Sequence, residues 1–216
     1  MRTVSPRTIA VLGGGGALGS GLARRFAHAG HRVIVGSRDP ARTLREGGDF
    51  GGAVTVAAHE EAASAADIAF LTVPFAGQAL VLTAVAQPLA GKILVDTTVP
   101  LVPPKVGRVQ LPAQGSAALI AQGLVGDRVR VVSALQNVGA AHLAHVADDI
   151  DCDVLVCGDH AEARAEVIAL IGEIGLRGYH AGPLANAAAA EALTSVLISM
   201  NRFYKSDRAG IRITGI

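Results

Sequence analysis

A glycine-rich turn that links an apolar strand to a helix constrains the fold of this chain more than any other feature. The apolar run at residues 8–12 predicts the strand, and Gly14, Gly16 and Gly19 then follow the G-x-G-x-x-G spacing. That spacing suits a tight turn, a close approach of the backbone to a pyrophosphate, and close packing of the helix on the strand. Because a second apolar strand follows at 32–36, we favour a dinucleotide site over a purely structural turn.

The residues after the second strand indicate which dinucleotide binds. An NAD site usually has an acidic side chain there, which accepts a hydrogen bond from the ribose 2′-hydroxyl. This chain has Ser37 and Arg38, with Arg42 one helical turn further on, and a planar guanidinium suits a phosphate. The alternative is that Asp39 binds the ribose, but Asp before Pro40 is typical of the start of a helix. We therefore predict NADP rather than NAD.

The composition is that of a folded enzyme with a sizeable core. Half of the 216 residues are hydrophobic, only 17% are charged, and the formal net charge is +1. This balance does not favour a nucleic-acid surface, and the sequence shows neither a signal-like start nor an apolar run of membrane-spanning length. We therefore expect a cytoplasmic protein without nucleic-acid or membrane partners. Cys152 and Cys157 do not form C-x-x-C, and we expect them to be reduced packing residues.

Apolar strands alternate with helices along the chain, which predicts a Rossmann-type, doubly wound, mostly parallel α/β sheet. We predict a Rossmann-like nucleotide-binding domain at residues 1–184 and a short C-terminal helical extension at 185–216. The predicted strands lie at residues 8–12, 32–36, 53–57, 68–73, 92–96, 129–134 and 153–157. The predicted helices lie at residues 17–29, 40–46, 59–65, 76–87, 116–123, 140–147, 160–174 and 187–204.

Ligands of open α/β sheets bind beyond the carboxyl ends of the strands, so the residues there are candidate site residues. Val73 and Pro74 follow the fourth strand, where an apolar turn can pack against adenine or nicotinamide. Asp96, at the end of the fifth strand, is either a general base or a carboxylate that braces the loop, and we favour the second. Gln136 and Asn137, after the sixth strand, can form hydrogen bonds with a flat heterocycle.

Other polar residues are predicted to have structural roles. We expect Asp159 to cap the helix that begins at residue 160, and His59 to be an ordinary helix-start residue. His142 and His145 lie three residues apart, but no carboxylate or Cys stands beside them at ligand spacing, so we predict no metal site. The sequence also lacks a nucleophile arrangement, which fits hydride transfer between two bound groups.

Motifs spread over nearly the whole chain resemble one enzyme family. They comprise the glycine turn, Val35-Gly36-Ser37-Arg38, Thr72-Val73-Pro74, Val132-Ser133-Ala134, and residues 153–159, 181–186, 191–194, 198–202 and 210–214. Together they resemble the NADPH-dependent reductases of the 8-hydroxy-5-deazaflavin coenzyme, factor 420. The resemblance implies that the protein transfers hydride reversibly between NADP(H) and the deazaflavin ring.

The resemblance also implies positions for the two redox partners. At the pyrophosphate it implies Gly15, Gly16, Ala17 and Leu18, flanked by Gly14 and Gly19 of the turn. At the 2′-phosphate it implies Ser37, Arg38 and Arg42, and along the rest of NADP it implies Val73, Pro74, Gly77, Val99 and Ala140. The acceptor-site candidates are Gln136, Asn137 and Val138. Members of the family often have His where this chain has Gln136, and Trp where it has Phe75, and a glutamine cannot titrate.

Two other functions stay open: an NADPH-dependent reductase of another small carbonyl, imine or flavin, and a non-catalytic NADP-binding sensor. The first often needs a long helical domain with a catalytic lysine, whereas only one helix of useful length follows residue 184 here. That helix is apolar and needs a partner surface, so we expect a homodimer. Its basic residues either complement the helix end or bind the acidic tail of the deazaflavin coenzyme; they are Arg202, Lys205, Arg208 and Arg212.

Overall fold

A computed structural model describes residues 5–46, 50, 54–143 and 145–216, and an eight-stranded sheet lies at its centre. The strands are β1 (Thr8–Leu12), β2 (Arg32–Ser37), β3 (Val54–Ala58), β4 (Ile68–Leu71), β5 (Ile93–Asp96), β6 (Arg130–Ser133), β7 (Asp153–Gly158) and β8 (Arg177–His180). The helices are α1 (Ala17–His28), α2 (Pro40–Glu46), α3 (His59–Ala65), α4 (Phe75–Val85), α5 (Ala117–Val125), α6 (Ala140–Leu143), α7 (Ala161–Glu173) and α8 (Ala187–Tyr204), with a 3-10 turn at Leu184–Asn186.

The strand order β3-β2-β1-β4-β5-β6-β7-β8 is that of a doubly wound sheet. Neighbouring strands are parallel except for β6 and β7, which are antiparallel. After β3 the chain crosses back to add β4 on the other side of β1, so the strand order reverses between β1 and β4. A crevice at the carboxyl ends of the strands forms at such a point. The predicted fold class is therefore confirmed.

Helices cover both faces of the sheet, which explains why its strands are continuous apolar runs. Alternate residues of β1 point to opposite sides and belong to two separate hydrophobic clusters. Ile9 and Val11 pack with buried residues of α1 and α7, such as Phe26. Ala10 and Leu12 pack with buried residues of α3, α4 and α5, such as Leu82. Polar substitutions on either side of the sheet would therefore enter a core.

The predicted elements agree with the structure except in the C-terminal third of the chain. The predicted helix at 140–147 was wrong in length, because α6 ends at Leu143. For the predicted strand at 53–57, the first residue lies outside the described residues. The edge strand β8 was not predicted, because its four residues Arg-Gly-Tyr-His contain no aliphatic side chain. After α8 the tail runs alongside β7, where the Asp153 N–H donates a hydrogen bond to the carbonyl of Ile211.

The two cysteines and the helices bear on the predicted class of protein. Cys152 and Cys157 are buried and belong to the two hydrophobic clusters, which agrees with their interpretation as packing residues. Burial raises the pKa of the Cys157 thiol to about 11, which keeps it protonated at neutral pH.

In the part of the chain that the structure describes, no helix combines the length and the apolar character needed to cross a membrane.

Candidate functional site

A cleft of about 660 Å³ opens at the carboxyl ends of β1, β2 and β4. It lies where the strand order reverses, between the glycine turn, the start of α2 and the first two turns of α4. Its lining residues are Gly13, Gly15, Gly16, Gly36, Ser37, Arg38, Asp39, Arg42, Thr43, His59, Thr72, Val73, Pro74, Ala76, Gly77, Leu80 and Val81. The size is within the usual range of small-molecule sites.

The glycine turn needs glycine for two different reasons. A Cβ on Gly14 would stand 2.9 Å from Cγ1 of Val35, and one on Gly19 would stand 2.6 Å from the Gly14 Cα, so both are required for close packing. A Cβ on Gly16 would come no closer than 3.6 Å to any atom, so that glycine leaves room on the cleft side instead. Gly13 has φ +89°, and this requirement was not predicted, although four consecutive glycines are a visible signal.

The N-terminus of α1 faces this turn and offers free hydrogen-bond donors. Gly16 is the N-cap residue, and no side chain among the described residues caps the helix or places a negative charge in its first turn. The first N–H groups of α1, at Ala17 and Leu18, therefore have no partner within the helix. Such a helix end is a favourable place for an anionic phosphate.

The loop between β2 and α2 forms the polar rim of the cleft. The carboxylate of Asp39 accepts a hydrogen bond from the N–H of Arg42 at 2.9 Å, so Asp39 caps α2 as the sequence predicted. The hydroxyl groups of Ser37 and Thr43 are hydrogen-bonded to each other at 2.7 Å. Arg38 and Arg42 are exposed along this rim. The rim is therefore cationic, and its one carboxylate is already engaged.

The opposite side of the cleft is an apolar wall formed by the turn between β4 and α4. The hydroxyl of Thr72 donates a hydrogen bond to the carbonyl of Leu12 at 3.0 Å, which holds this turn against the end of β1. Val73, Pro74 and Gly77 then line the cleft together with Ala76 and the exposed Leu80. Several predicted site residues do not line this cleft, and the structure does not bring them together with the others there; they are Gly14, Ala17, Leu18, Gly19, Phe75, Val99, Gln136, Asn137, Val138 and Ala140.

Asp96 lies fully buried beneath the site and braces it. Its carboxylate accepts hydrogen bonds from the side-chain amide of Gln78 at 2.8 Å and from the N–H and hydroxyl of Thr98 at 3.0 and 2.7 Å. Burial raises the pKa of Asp96 to about 6, partly opposed by these hydrogen bonds. The bracing role is therefore favoured over the general base, because Thr98 holds the loop after β5 to the carboxylate and Gln78 ties that carboxylate to α4.

The acceptor-site candidates lie in the loop after β6 and are buried. The side-chain N–H₂ of Gln136 donates to the carbonyl of Asp96 at 2.9 Å, and that of Asn137 donates to the carbonyl of Asp153 at 2.7 Å. Neither amide oxygen, Oε1 of Gln136 or Oδ1 of Asn137, has a hydrogen-bond partner within the described ranges. Val138 is buried beside them. Two acceptor atoms are thus left unbound at this loop.

The C-terminal helix attaches directly to this region. The carboxylate of Glu191 accepts hydrogen bonds from the N–H groups of Ala117 and Ala118 at 2.7 and 3.1 Å. Burial is the main cause that raises the pKa of Glu191 to about 7. The hydroxyl of Thr194 donates to the carbonyl of Gln136 at 2.8 Å. Sequence reasoning missed both contacts; the visible signal was one Glu within an apolar, alanine-rich helix.

The predicted cap at Asp159 was wrong. Helix α7 begins at Ala161 with His160 at its N-cap position, so Asp159 stands one residue too early to cap it. Its carboxylate instead accepts a hydrogen bond from the N–H of Leu184 at 2.9 Å, at the start of the 3-10 turn. Asp159 therefore ties the loop after β7 to the segment that leads into α8.

The remaining candidates are the two histidines and the basic residues of the C-terminus. Nε2 of His142 lies 3.2 Å from the carbonyl of Arg208, and no group of metal-ligating side chains occurs within the described residues. Arg212 pairs with Asp151 at 2.8 Å, and Arg208 lies 4.0 Å from Asp148. The positive charge of this tail is thus partly neutralised by the loop before β7.

Known proteins resemble this chain over nearly its full length. Residues 8–100 match the family described as NADP oxidoreductase, coenzyme F420-dependent. The chain is 36% identical over 220 residues to an F420-dependent NADP reductase of Methanothermobacter thermautotrophicus, which covers 96% of this chain and 95% of that protein. It is 35% identical over 222 residues to an F420-dependent NADP reductase of Methanocaldococcus jannaschii, and this alignment covers 96% of this chain and 98% of that protein.

Solved structures agree with this relationship. A crystal structure from Arthrobacter sp. FB24 superposes with a TM-score of 0.84 at 28% identity, covering 97% of this chain and all (100%) of that one. An imine reductase from Bacillus cereus has a TM-score of 0.63 at 22% identity and covers 91% of this chain and 60% of that one, so that likeness shows the fold alone. From the full-length similarity to the curated reductases, the chain belongs to the F420-dependent NADP oxidoreductase family.

Proposed function

We propose that this protein transfers hydride reversibly between NADP(H) and the 8-hydroxy-5-deazaflavin coenzyme, F420. In the forward direction hydride leaves C4 of the dihydronicotinamide, and the deazaflavin gains that hydride together with one proton from water. The observation that carries the proposal is the cleft at the strand-order reversal. It combines an uncapped helix N-terminus with a rim of two arginines, in a chain that matches such reductases from end to end.

The cleft residues fit an NADP molecule in one orientation. The free N–H groups at the start of α1, those of Ala17 and Leu18, bind the pyrophosphate. Gly15 and Gly16 leave space for it on the cleft side, and Gly14 and Gly19 keep the turn packed against its neighbours. Ser37, Arg38 and Arg42 bind the 2′-phosphate, because the guanidinium groups suit a phosphate and the carboxylate of Asp39 serves as a helix cap. Val73, Pro74 and Gly77 form the apolar side, with Val99 and Ala140 toward the nicotinamide.

The acceptor ring binds beside the loop after β6. Gln136 and Asn137 have their N–H₂ groups held by backbone carbonyls, which fixes both side chains, and their buried amide oxygens have no partner among the described residues. Val138 supplies an apolar contact. Residues 185–216 form the extension that caps this cleft, and α8 is fixed to the same loop through Thr194. The contribution of the protein is to align two rings face to face, without a covalent intermediate.

The basic C-terminal residues are proposed to bind the phosphate and glutamyl tail of the deazaflavin coenzyme. Arg202 and Lys205 are exposed at the end of α8, whereas Arg208 and Arg212 lie against acidic residues. The first two are therefore better placed to attract an anionic tail. Because such exposed charges act through water, their effect falls as salt is raised.

Two further properties follow from the same argument. Helix α8 exposes large apolar side chains at helical spacing, namely Val196, Met200, Phe203 and Tyr204, and a second copy of the chain would cover them in a homodimer. The cytoplasm is the expected location, because both redox partners are small intracellular coenzymes and both cysteines are reduced.

The acceptor is tested by mixing the protein with NADP⁺ and one reduced donor at a time. Reduced deazaflavin coenzyme, reduced flavin mononucleotide and a sample without donor are compared by absorbance, which follows NADPH formation. We expect NADPH only with the deazaflavin. NADPH with reduced flavin alone would indicate a different acceptor, and NADP⁺ binding without any turnover would indicate a sensor.

A further inference from the structure

His59 lies at the floor of the cleft beside the cationic rim. It is the first residue of α3 and directly follows β3, whose last residue Ala58 pairs with Ser37 in β2. Arg38 and His59 therefore leave neighbouring strands side by side. The imidazole is only 7% exposed, and a Cβ on Gly36 would stand 2.9 Å from its Nδ1 atom. The ring thus fills the space that a side chain at Gly36 would need.

One nitrogen of this ring, Nδ1, is buried and forms no hydrogen bond with the described residues. By contrast, the hydroxyl groups of Ser37 and Thr43 bond to each other, and Asp39 caps α2. A buried polar group without a partner is unfavourable, so its presence in a ligand cleft calls for a ligand.

We propose that His59 is a further ligand of the 2′-phosphate of NADP(H), beside Ser37, Arg38 and Arg42, and that it takes up a proton when this phosphate binds. The inference rests on the proposed position of the 2′-phosphate at the rim. It adds a titratable group to that subsite, and with it a dependence of the NADP preference on pH. Nothing in the sequence distinguished His59 from an ordinary helix-start residue.

The charges around His59 favour such a change of protonation. Burial is the largest cause that lowers its pKa, Glu60 raises it, and Arg38 lowers it further. Asp39 and Arg42 are the other charged residues among those that line the cleft with His59 and Arg38. Four elements pack against α3: β1, β2, β3 and α4. None of them adds an ionisable side chain to the cleft, because their one such residue, Arg32, lies at the opposite end of β2. A lowered pKa favours the neutral imidazole at neutral pH, and an entering dianion would favour its charged form.

The test is a comparison of NADP⁺ and NAD⁺, which differ only in the 2′-phosphate. Dissociation constants are measured by calorimetry for the wild type, His59→Gln and the control His28→Gln, whose imidazole is exposed in the last turn of α1. We expect His59→Gln to weaken NADP⁺ by about tenfold and to leave NAD⁺ unchanged. Unchanged NAD⁺ binding also shows that the variant is folded.

Proton uptake gives the second readout. Repeating the titrations in buffers of different ionisation enthalpy measures the protons bound with NADP⁺, and we expect the wild type and His28→Gln to take up more than His59→Gln. Equal uptake in all three proteins would overturn the inference, and so would an equal loss of NADP⁺ and NAD⁺ affinity, which would place His59 at the base or ribose. The variant Arg38→Ala distinguishes failure of the His59 proposal from failure of the proposed phosphate position. If Arg38→Ala leaves the preference for NADP⁺ over NAD⁺ unchanged, the proposed position of the 2′-phosphate is wrong.

Discussion

The carboxylate of Glu191 accepts a hydrogen bond from the N–H of Ala117 at 2.7 Å, across 74 residues of sequence. This contact fixes the C-terminal helix α8 to the N-terminus of α5, next to the loops that follow β5 and β6. It also buries a carboxylate, whose pKa is raised from 4.5 to about 7. The attachment of the acceptor-side helix is therefore sensitive to pH.

Stability should fall as the pH rises from about 4.5 to about 7. In this window the folded protein keeps a proton on Glu191 that the unfolded chain has lost, so the free energy of unfolding decreases with pH. Asp96 acts in the same direction, since its pKa is raised to about 6. Urea unfolding at several pH values measures the slope. Glu191→Gln should flatten it, whereas Glu162→Gln, at an exposed position of α7, should not. An unchanged slope in Glu191→Gln would contradict this assignment, since the buried His59, with its lowered pKa, contributes to the wild-type slope in the opposite direction.

Replacing both Arg38 and Arg42 by Ala should weaken NADPH binding strongly and leave NADH almost unchanged. Each charge-assisted hydrogen bond contributes about 1.5–3 kcal/mol, or roughly ten- to a hundredfold in affinity. Fluorescence titration of the reduced cofactors measures both constants. An equal loss of affinity for NADPH and NADH would rule out the proposed 2′-phosphate site and would favour Asp39 as the ribose ligand.

Gly19→Ala should destabilise the protein and impair NADPH binding together. The new Cβ would stand 2.6 Å from the Gly14 Cα, and a backbone atom cannot move aside without deforming the turn. We expect a loss of about 1–3 kcal/mol in the free energy of unfolding. Gly172→Ala in α7 is the matched control, because its Cβ would meet no atom within 4 Å and should add about 0.5–1 kcal/mol of stability. Similar behaviour of both variants would argue against tight packing at the turn.

Replacing both Arg202 and Lys205 by Ala should raise the KM for the intact deazaflavin coenzyme, and more so at low salt. It should leave the KM for NADPH unchanged, and also that for a deazaflavin that lacks the phosphate and glutamyl tail. Steady-state kinetics with the two acceptors separates the effects. If the KM rises equally for both acceptors, these residues only complement the C-terminal end of α8.

The fold was predictable because its core strands are unbroken apolar runs separated by helices, as in β1, β4 and β5. The candidate NADP residues were predictable for a related reason, since a strand, a glycine turn and a helix form one local unit. Contacts between distant segments were not predictable. Glu191 finds its donors on α5, Asp159 binds the 3-10 turn rather than its own helix, and His59 meets Arg38 only through strand pairing.

Hydride transfer between the two coenzymes is tested most directly with NADPH labelled by deuterium at C4, on the face from which hydride is transferred. Mass spectrometry of the reduced deazaflavin then shows where the label goes. Direct transfer between aligned rings predicts that the deuterium appears at the ring carbon of the deazaflavin, without exchange into water. Deuterium found in water, with unlabelled reduced deazaflavin, would contradict direct transfer and would require an acid–base step by the protein, for which Asp96 would be the first residue to replace.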